Sequence, residues 1–128
     1  MATQRQRLEQ GRAKHAFDAA TEAAKNADKE DYKSYTKKVP MLIKTNGLGA
    51  TVAFMQAKGK AYQTILNNLE NWLKQDVKFS AIYDKIEGTL VNKIISCNTN
   101  EYRALTTEAL AYLGWLKRFA DGLIKKEK

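Results

Sequence analysis

The sequence predicts an all-α fold, a compact bundle of about six helices in which the first and last are long. Three observations carry this. Apolar residues recur at spacings of three and four through most of the chain. One proline and seven glycines are the only strong breakers in 128 residues. No segment offers the sustained alternation of a half-buried strand. At this length the chain can bury roughly two-thirds of its unfolded surface without disulfides or metals, so residues 1–128 are read as a single helical domain.

The elements follow in order. From about Ala2 to Ala27, a stripe of Ala13, Ala16, Phe17, Ala20, Ala23, Ala24 and Ala27 predicts a long first helix. Its small side chains suit close approach by a neighbour. Asp28 to Lys38 reads as a shorter helix that stops before Pro40, because proline pushes the preceding Val39 out of the helical region. Pro40 then opens a short piece to Asn46, with Gly47 as its stop. Leu48 to Lys58 reads as helix, although Thr51-Val52-Ala53-Phe54 also suits a strand, and Gly59 closes it. Lys60 to Asp76 carries Tyr62, Ile65, Leu66, Leu69, Trp72 and Leu73 on one face. Ser80 to Ser96 repeats that pattern with Ile82, Ile86, Leu90 and Ile94, Gly88 being a tolerated weak point. The last helix has the clearest start: Asn98 stands three residues before Glu101, the spacing of a capping box. Tyr102, Leu105, Ala109, Tyr112, Leu113, Leu116, Ala120 and Leu123 then share one face.

Charge narrows the function. Twenty-two Lys and Arg stand against 14 Asp and Glu, a formal net charge of +8. Between Tyr32 and Leu69 there is no acid at all, yet Lys33, Lys37, Lys38, Lys44, Lys58 and Lys60 fall there. A single-sign stretch favours a polyanion or an acidic partner surface, though solubility alone can also explain it. No apolar run approaches the length of a membrane span, and the polar start lacks the apolar core of a secretory signal. The one cysteine, Cys97, has no intrachain disulfide partner. A cytoplasmic protein with no membrane association is expected.

The catalytic inventory is thin, and no enzyme activity is expected. One histidine, His15, and one cysteine exclude two-histidine zinc motifs and Cys-x-x-Cys pairs by count. His15 reads as a surface or edge residue and Cys97 as a small filler at a helix end. Asp84 and Glu87 could share a helix face, but no third acid completes a metal or acid–base site. Thr45-Asn46-Gly47-Leu48-Gly49 lacks the spacing and the Lys-Ser/Thr of a phosphate loop. It reads as a tight turn whose following amides could still meet a phosphate. No cofactor, metal or catalytic residue is assigned.

Two features suit binding. Lys44, Lys58 and Lys60 bracket the glycine turn and could contact phosphates, or simply face solvent. On the last helix, Trp115 and Arg118 are neighbours at i, i+3, with Lys117 on the other flank. They offer either a cation–π and base-stacking platform or a tryptophan packed under a neighbouring helix.

Two blocks also resemble a known family. The run Glu108-Ala109-Leu110-Ala111-Tyr112-Leu113-Gly114-Trp115-Leu116-Lys117-Arg118-Phe119-Ala120-Asp121-Gly122-Leu123 resembles the C-terminal signature of the small subunit, the fifth, of type III-B CRISPR RAMP-module (Cmr) effector complexes. The segment from Met41 to Phe54 resembles that family's other recurrent block. Together they cover about a quarter of the chain. The resemblance implies a non-catalytic all-α subunit, several copies of which stack as a minor filament beside the backbone subunits. It implies contact with guide RNA and target RNA through basic surface, in antiviral defence. It also implies that target cleavage belongs to the backbone subunits and cyclic oligonucleotide synthesis to the large subunit. Expected partners are therefore those subunits, further copies of the chain, and the two RNAs. Lys44, Lys58, Lys60, Lys117 and Arg118 are the RNA-binding candidates, on the charge argument. Trp115 and Phe119 are candidates for the head-to-tail contact that stacking requires. Two rival readings are a structural spacer that docks on protein neighbours without touching RNA, and an independent nuclease.

Overall fold

The computed structural model describes residues 3–124, the side chains of 77 and 78 excepted. Among these residues there are seven helices and no strand: α1 (Gln4–Ala23), α2 (Lys29–Asn46), α3 (Leu48–Ala57), α4 (Lys60–Gln75), α5 (Val77–Lys85), α6 (Leu90–Ser96) and α7 (Thr99–Leu123). The all-α fold and the long first and last helices are as the periodicity predicts. The start proposed at Ala2 lies outside the described residues, and α1 begins one residue after its cap. Thr3 accepts from the Gln6 amide while the Gln6 side chain accepts from Thr3. It ends at Ala23 rather than Ala27, in a short run of tight turns through Lys25 and Asn26.

The alanine stripe does what small residues allow. Ala16, Ala20 and Ala23 are fully buried, and α1 makes its most extensive contact with α7. The two helices run parallel: Arg12 meets Glu108, His15 meets Tyr112 and Phe17 meets Phe119. Between them and the middle of the chain, α4 contributes Ile65, Leu69, Trp72 and Leu73 to the core, and α7 contributes Ala109, Tyr112, Leu113 and Leu116.

Two boundaries differ from the sequence reading, each for a physical reason. Pro40 does not end a helix; α2 runs through it to Asn46. Proline inside a helix costs about 3 kcal/mol and removes one amide donor. Against this, Tyr32, Thr36, Val39 and Ile43 form a buried stripe that continues on both sides of Pro40. Keeping Val39 and Ile43 on the same helix face buries both, which offsets the local cost. Conversely, Gly88 is a break rather than a weak point. It adopts φ +104°, and the expected helix over 80–96 divides there into α5 and α6. Thr89 caps the new start by accepting from the Asn92 amide. Lys93 of α6 ties the pieces together. Its ammonium donates to the carbonyl oxygens of Tyr83 (2.6 Å) and Ile86, closing the end of α5, and lies 4.0 Å from the centre of the Tyr83 ring.

Gly47 behaves as expected of a stop. Its φ of +91° with ψ of 160° is open essentially to glycine alone. The capping box of α7 is present as read, with Asn98 and Glu101 each accepting the other's backbone amide. At the far end of α7, Lys33 donates to the Ile124 carbonyl at 2.9 Å and Lys37 pairs with Asp121 at 3.3 Å. Both cations sit at the negative end of that helix.

Gly47→Ala should destabilise the fold by about 1–3 kcal/mol, the cost of forcing a side chain into that backbone region. Any added Cβ would also stand 3.2 Å from the Tyr102 hydroxyl. Urea unfolding followed by far-UV circular dichroism measures this. An unchanged midpoint would show that the turn does not need glycine.

Candidate nucleic-acid interface

The surface is built on a polar joint at the meeting point of α1, α4 and α7. Glu108, buried on the inner face of α7, accepts from Arg12 Nε and Nη2 at 2.6 Å each. The Trp72 indole N–H donates to the same carboxylate at 2.9 Å. The pairing with Glu108 raises the Arg12 guanidinium above its ordinary value. One turn along α1, His15 Nδ1 lies 2.7 Å from the Tyr112 hydroxyl and Nε2 lies 3.0 Å from Asn71 Oδ1. A neutral imidazole protonated on Nε2 satisfies both, with the Tyr112 hydroxyl donating. His15 is thus an interhelical bridge at the edge of the core. Cys97, at the end of α6, donates from its thiol to the Ile94 carbonyl. Burial first, then the nearby Glu101 carboxylate, push that thiol above the free-cysteine value.

The structure gathers some of the sequence candidates and separates others. Trp115, Phe119 and Arg118 come together on α7. The Arg118 guanidinium lies 5.0 Å from the centre of the Trp115 ring. Trp115 stacks on Phe119 at 5.6 Å, and Phe119 meets Phe17 of α1 edge-on at 5.3 Å. Trp115 is half-buried against the core and carries the Arg118 cation over its ring, beside a surface pocket that Glu9, Gln10 and Ala13 of α1 also line. Phe17 remains 40% exposed. Lys117 is exposed on the same helix as Trp115. Lys58 and Lys60 flank Gly59 at the α3–α4 junction, both exposed, with Lys58 Nζ 5.4 Å from the centre of the Phe54 ring. Lys44 is exposed in the last turn of α2.

Two readings of the sequence change. The amide of Gly49, at the start of α3, donates to the Tyr102 hydroxyl at 3.0 Å, and Gly49 itself is buried. The glycine turn is therefore docked on α7 and does not present that amide to a phosphate. Asp84 and Glu87 do not share a helix, because α5 ends at Lys85. Sequence reasoning also passed over Arg12 and Glu108. The legible signal was Glu108 itself, a carboxylate lying within the apolar stripe three residues after Leu105.

Glu108→Ala should cost about 3–5 kcal/mol, since it leaves a part-buried guanidinium and an indole N–H without their acceptor. Chemical denaturation decides it: a loss below about 1 kcal/mol, the range of exposed ion pairs, would show that the joint is dispensable. For Cys97 the sign is simple. A raised thiol value leaves less thiolate at any given pH, so alkylation of the folded chain should need a higher pH than alkylation of free cysteine. The same chain in urea should lose that difference. Coincident rate–pH profiles for the folded chain and free cysteine would contradict it.

Comparison with known proteins gives a consistent result. Residues 8–123 match the family model described as CRISPR-associated protein (Cas_Cmr5). The chain is 30% identical over 114 residues to the CRISPR system Cmr subunit Cmr5 of Thermus thermophilus, covering 89% of this chain and 93% of that protein. A crystal structure of a CRISPR-associated Cmr5 family protein from the same organism superposes with a TM-score of 0.76 at 28% identity, over 98% of this chain and 100% of that one. The chain belongs to the Cas_Cmr5 family of CRISPR-associated proteins.

Proposed function

We propose that the chain is the small, non-catalytic subunit of a type III-B CRISPR (Cmr) RNA-guided effector complex, and that it contacts guide and target RNA through its basic surface. The observation that carries this is the family match along nearly the whole chain. The net charge of +8 supports the RNA contact, as do the exposed Lys44, Lys58, Lys60, Lys117 and Arg118. In this reading these side chains displace counterions from the RNA backbone and add affinity without reading sequence. Sequence is read by pairing between guide and target. Copies of the chain stack head to tail, and the Phe17–Phe119–Trp115 cluster is the side-chain set offered to that contact. Its partners are the backbone and large subunits, and its place is the cytoplasm.

The test is charge reversal of Lys44, Lys58, Lys60, Lys117 and Arg118 to Glu, with the complex purified through another subunit. Capture of target RNA should fall and become less salt-sensitive, while the chain still co-purifies. Loss of the chain from the complex would instead favour a spacer that docks on acidic protein neighbours. Intact assembly with unchanged RNA capture would remove these residues from the RNA contact.

A further inference from the structure

A surface pocket of about 420 Å³ lies where α1, α5 and α7 meet, and its wall carries three arginines, Arg5, Arg12 and Arg103. Arg12 is committed to Glu108, and that pair fixes the pocket floor. Arg5 and Arg103 are different. Both are exposed, and neither forms an ion pair or hydrogen bond with the described residues. Thr107 adds a hydroxyl on the α7 side. With Glu108 neutralising Arg12, the lining keeps two uncompensated guanidinium groups on two adjacent helices.

The placement of Arg5 runs against helix electrostatics. α1 and α7 are parallel, so their positive N-terminal ends point the same way. Arg5 lies in the first turn of α1, a turn that holds no acidic residue, and Arg103 follows the first turn of α7. A cation in the first turn repels the helix end it sits on, which holds for Arg5, whereas the first turn of α7 carries Glu101. Where a sequence breaks a local rule without internal compensation, as at Arg5, function is the expected reason. Two forked donors and a hydroxyl line one opening. That set fits an anion with several acceptor oxygens, and the planar guanidinium matches a phosphate bidentately.

We propose that the Arg5–Arg103 pocket between α1 and α7 is a phosphate-binding site that takes a phosphodiester of bound RNA. The assignment rests on the RNA reading of the basic surface and gives it a location that the lysines of the acid-free stretch do not. Glu9 and Asp76 stand near enough to Arg12 to act on it electrostatically. Both act in the same direction as Glu108, raising the Arg12 guanidinium above its ordinary value.

The experiment compares the full wild-type chain with R5Q/R103Q, R5K/R103K and K44Q/K58Q/K60Q. Binding of a labelled single-stranded RNA is followed by fluorescence anisotropy over a salt series, and the arginine Nε–H signals by NMR. R5Q/R103Q should lose about ten-fold in affinity. Its salt slope should shrink by about 0.7 for each phosphate that the variant no longer neutralises. R5K/R103K should recover part of the affinity, because charge is kept and the fork is not. R5Q/R103Q should melt no lower than wild type, since repulsion at the start of α1 is removed and neither arginine pairs with another described residue. RNA should move the Arg5 and Arg103 signals in wild type and in K44Q/K58Q/K60Q alike. Wild-type affinity and slope in R5Q/R103Q, with RNA binding otherwise intact, would overturn the pocket and leave the RNA reading standing. Signals moved by inorganic phosphate but not by RNA would overturn the assignment to RNA. No salt-sensitive RNA binding by wild type, and no crosslink to RNA in the assembled complex, would overturn both.

Discussion

The architecture depends on one carboxylate. Glu108 is buried and accepts three donors, two from Arg12 of α1 and one from Trp72 of α4. The buried face of α1 is otherwise alanine, Ala16, Ala20 and Ala23, whose packing is non-directional and tolerates sliding by a turn. A bidentate guanidinium–carboxylate pair does not tolerate it, because both hydrogen bonds break together. Burying the pair costs solvation, and the pair survives because nearly every acceptor site on the carboxylate is used. His15, Tyr112 and Asn71 repeat the device one turn further along, so the register of the three helices is set at two levels.

Much of the fold was legible because it rests on local chemistry. Asn98 and Glu101 announced α7, Gly47 announced the end of α2, and the stripe from Tyr62 to Leu73 announced α4. The failures have a common cause. Pro40 and Gly88 were judged by local cost, and the outcome was decided by tertiary burial in one case and by a turn at positive φ in the other. The Val39–Ile43 face had a core to enter, so the helix continued past proline. At Gly88, a glycine free to take positive φ let the chain turn, and Lys93 closed the exposed carbonyls. The polar joint was illegible for another reason. Arg12, Trp72 and Glu108 lie far apart in sequence, and two of the three look ordinary on their own helices.

The charge pattern also needs its spatial reading. Six lysines without an intervening acid suggested one continuous basic field. Two of them, Lys33 and Lys37, are spent on the C-terminal end of α7. Of the other four, Lys38 and Lys44 are exposed on α2, and Lys58 and Lys60 are exposed at the α3–α4 junction. Trp115 belongs to both halves of the alternative posed for it, since it packs against the core while Arg118 lies over its ring. Residue type and spacing identified the cations worth asking about. Only the packing says which are occupied elsewhere.

The continuous α2 has a consequence for how the chain reaches its native state. Helix formation is cooperative with a costly nucleus, and an interior proline makes propagation across it unfavourable. A segment of this kind cannot be an early, local event. It becomes one helix only when Tyr32, Thr36, Val39 and Ile43 have a core to enter. α1 and α7 can begin from their own caps and α4 from its apolar stripe, whereas the second half of α2, with the glycine turn and α3 behind it, gains its burial only from the surface they create. Sequence order and folding order therefore part company at Pro40.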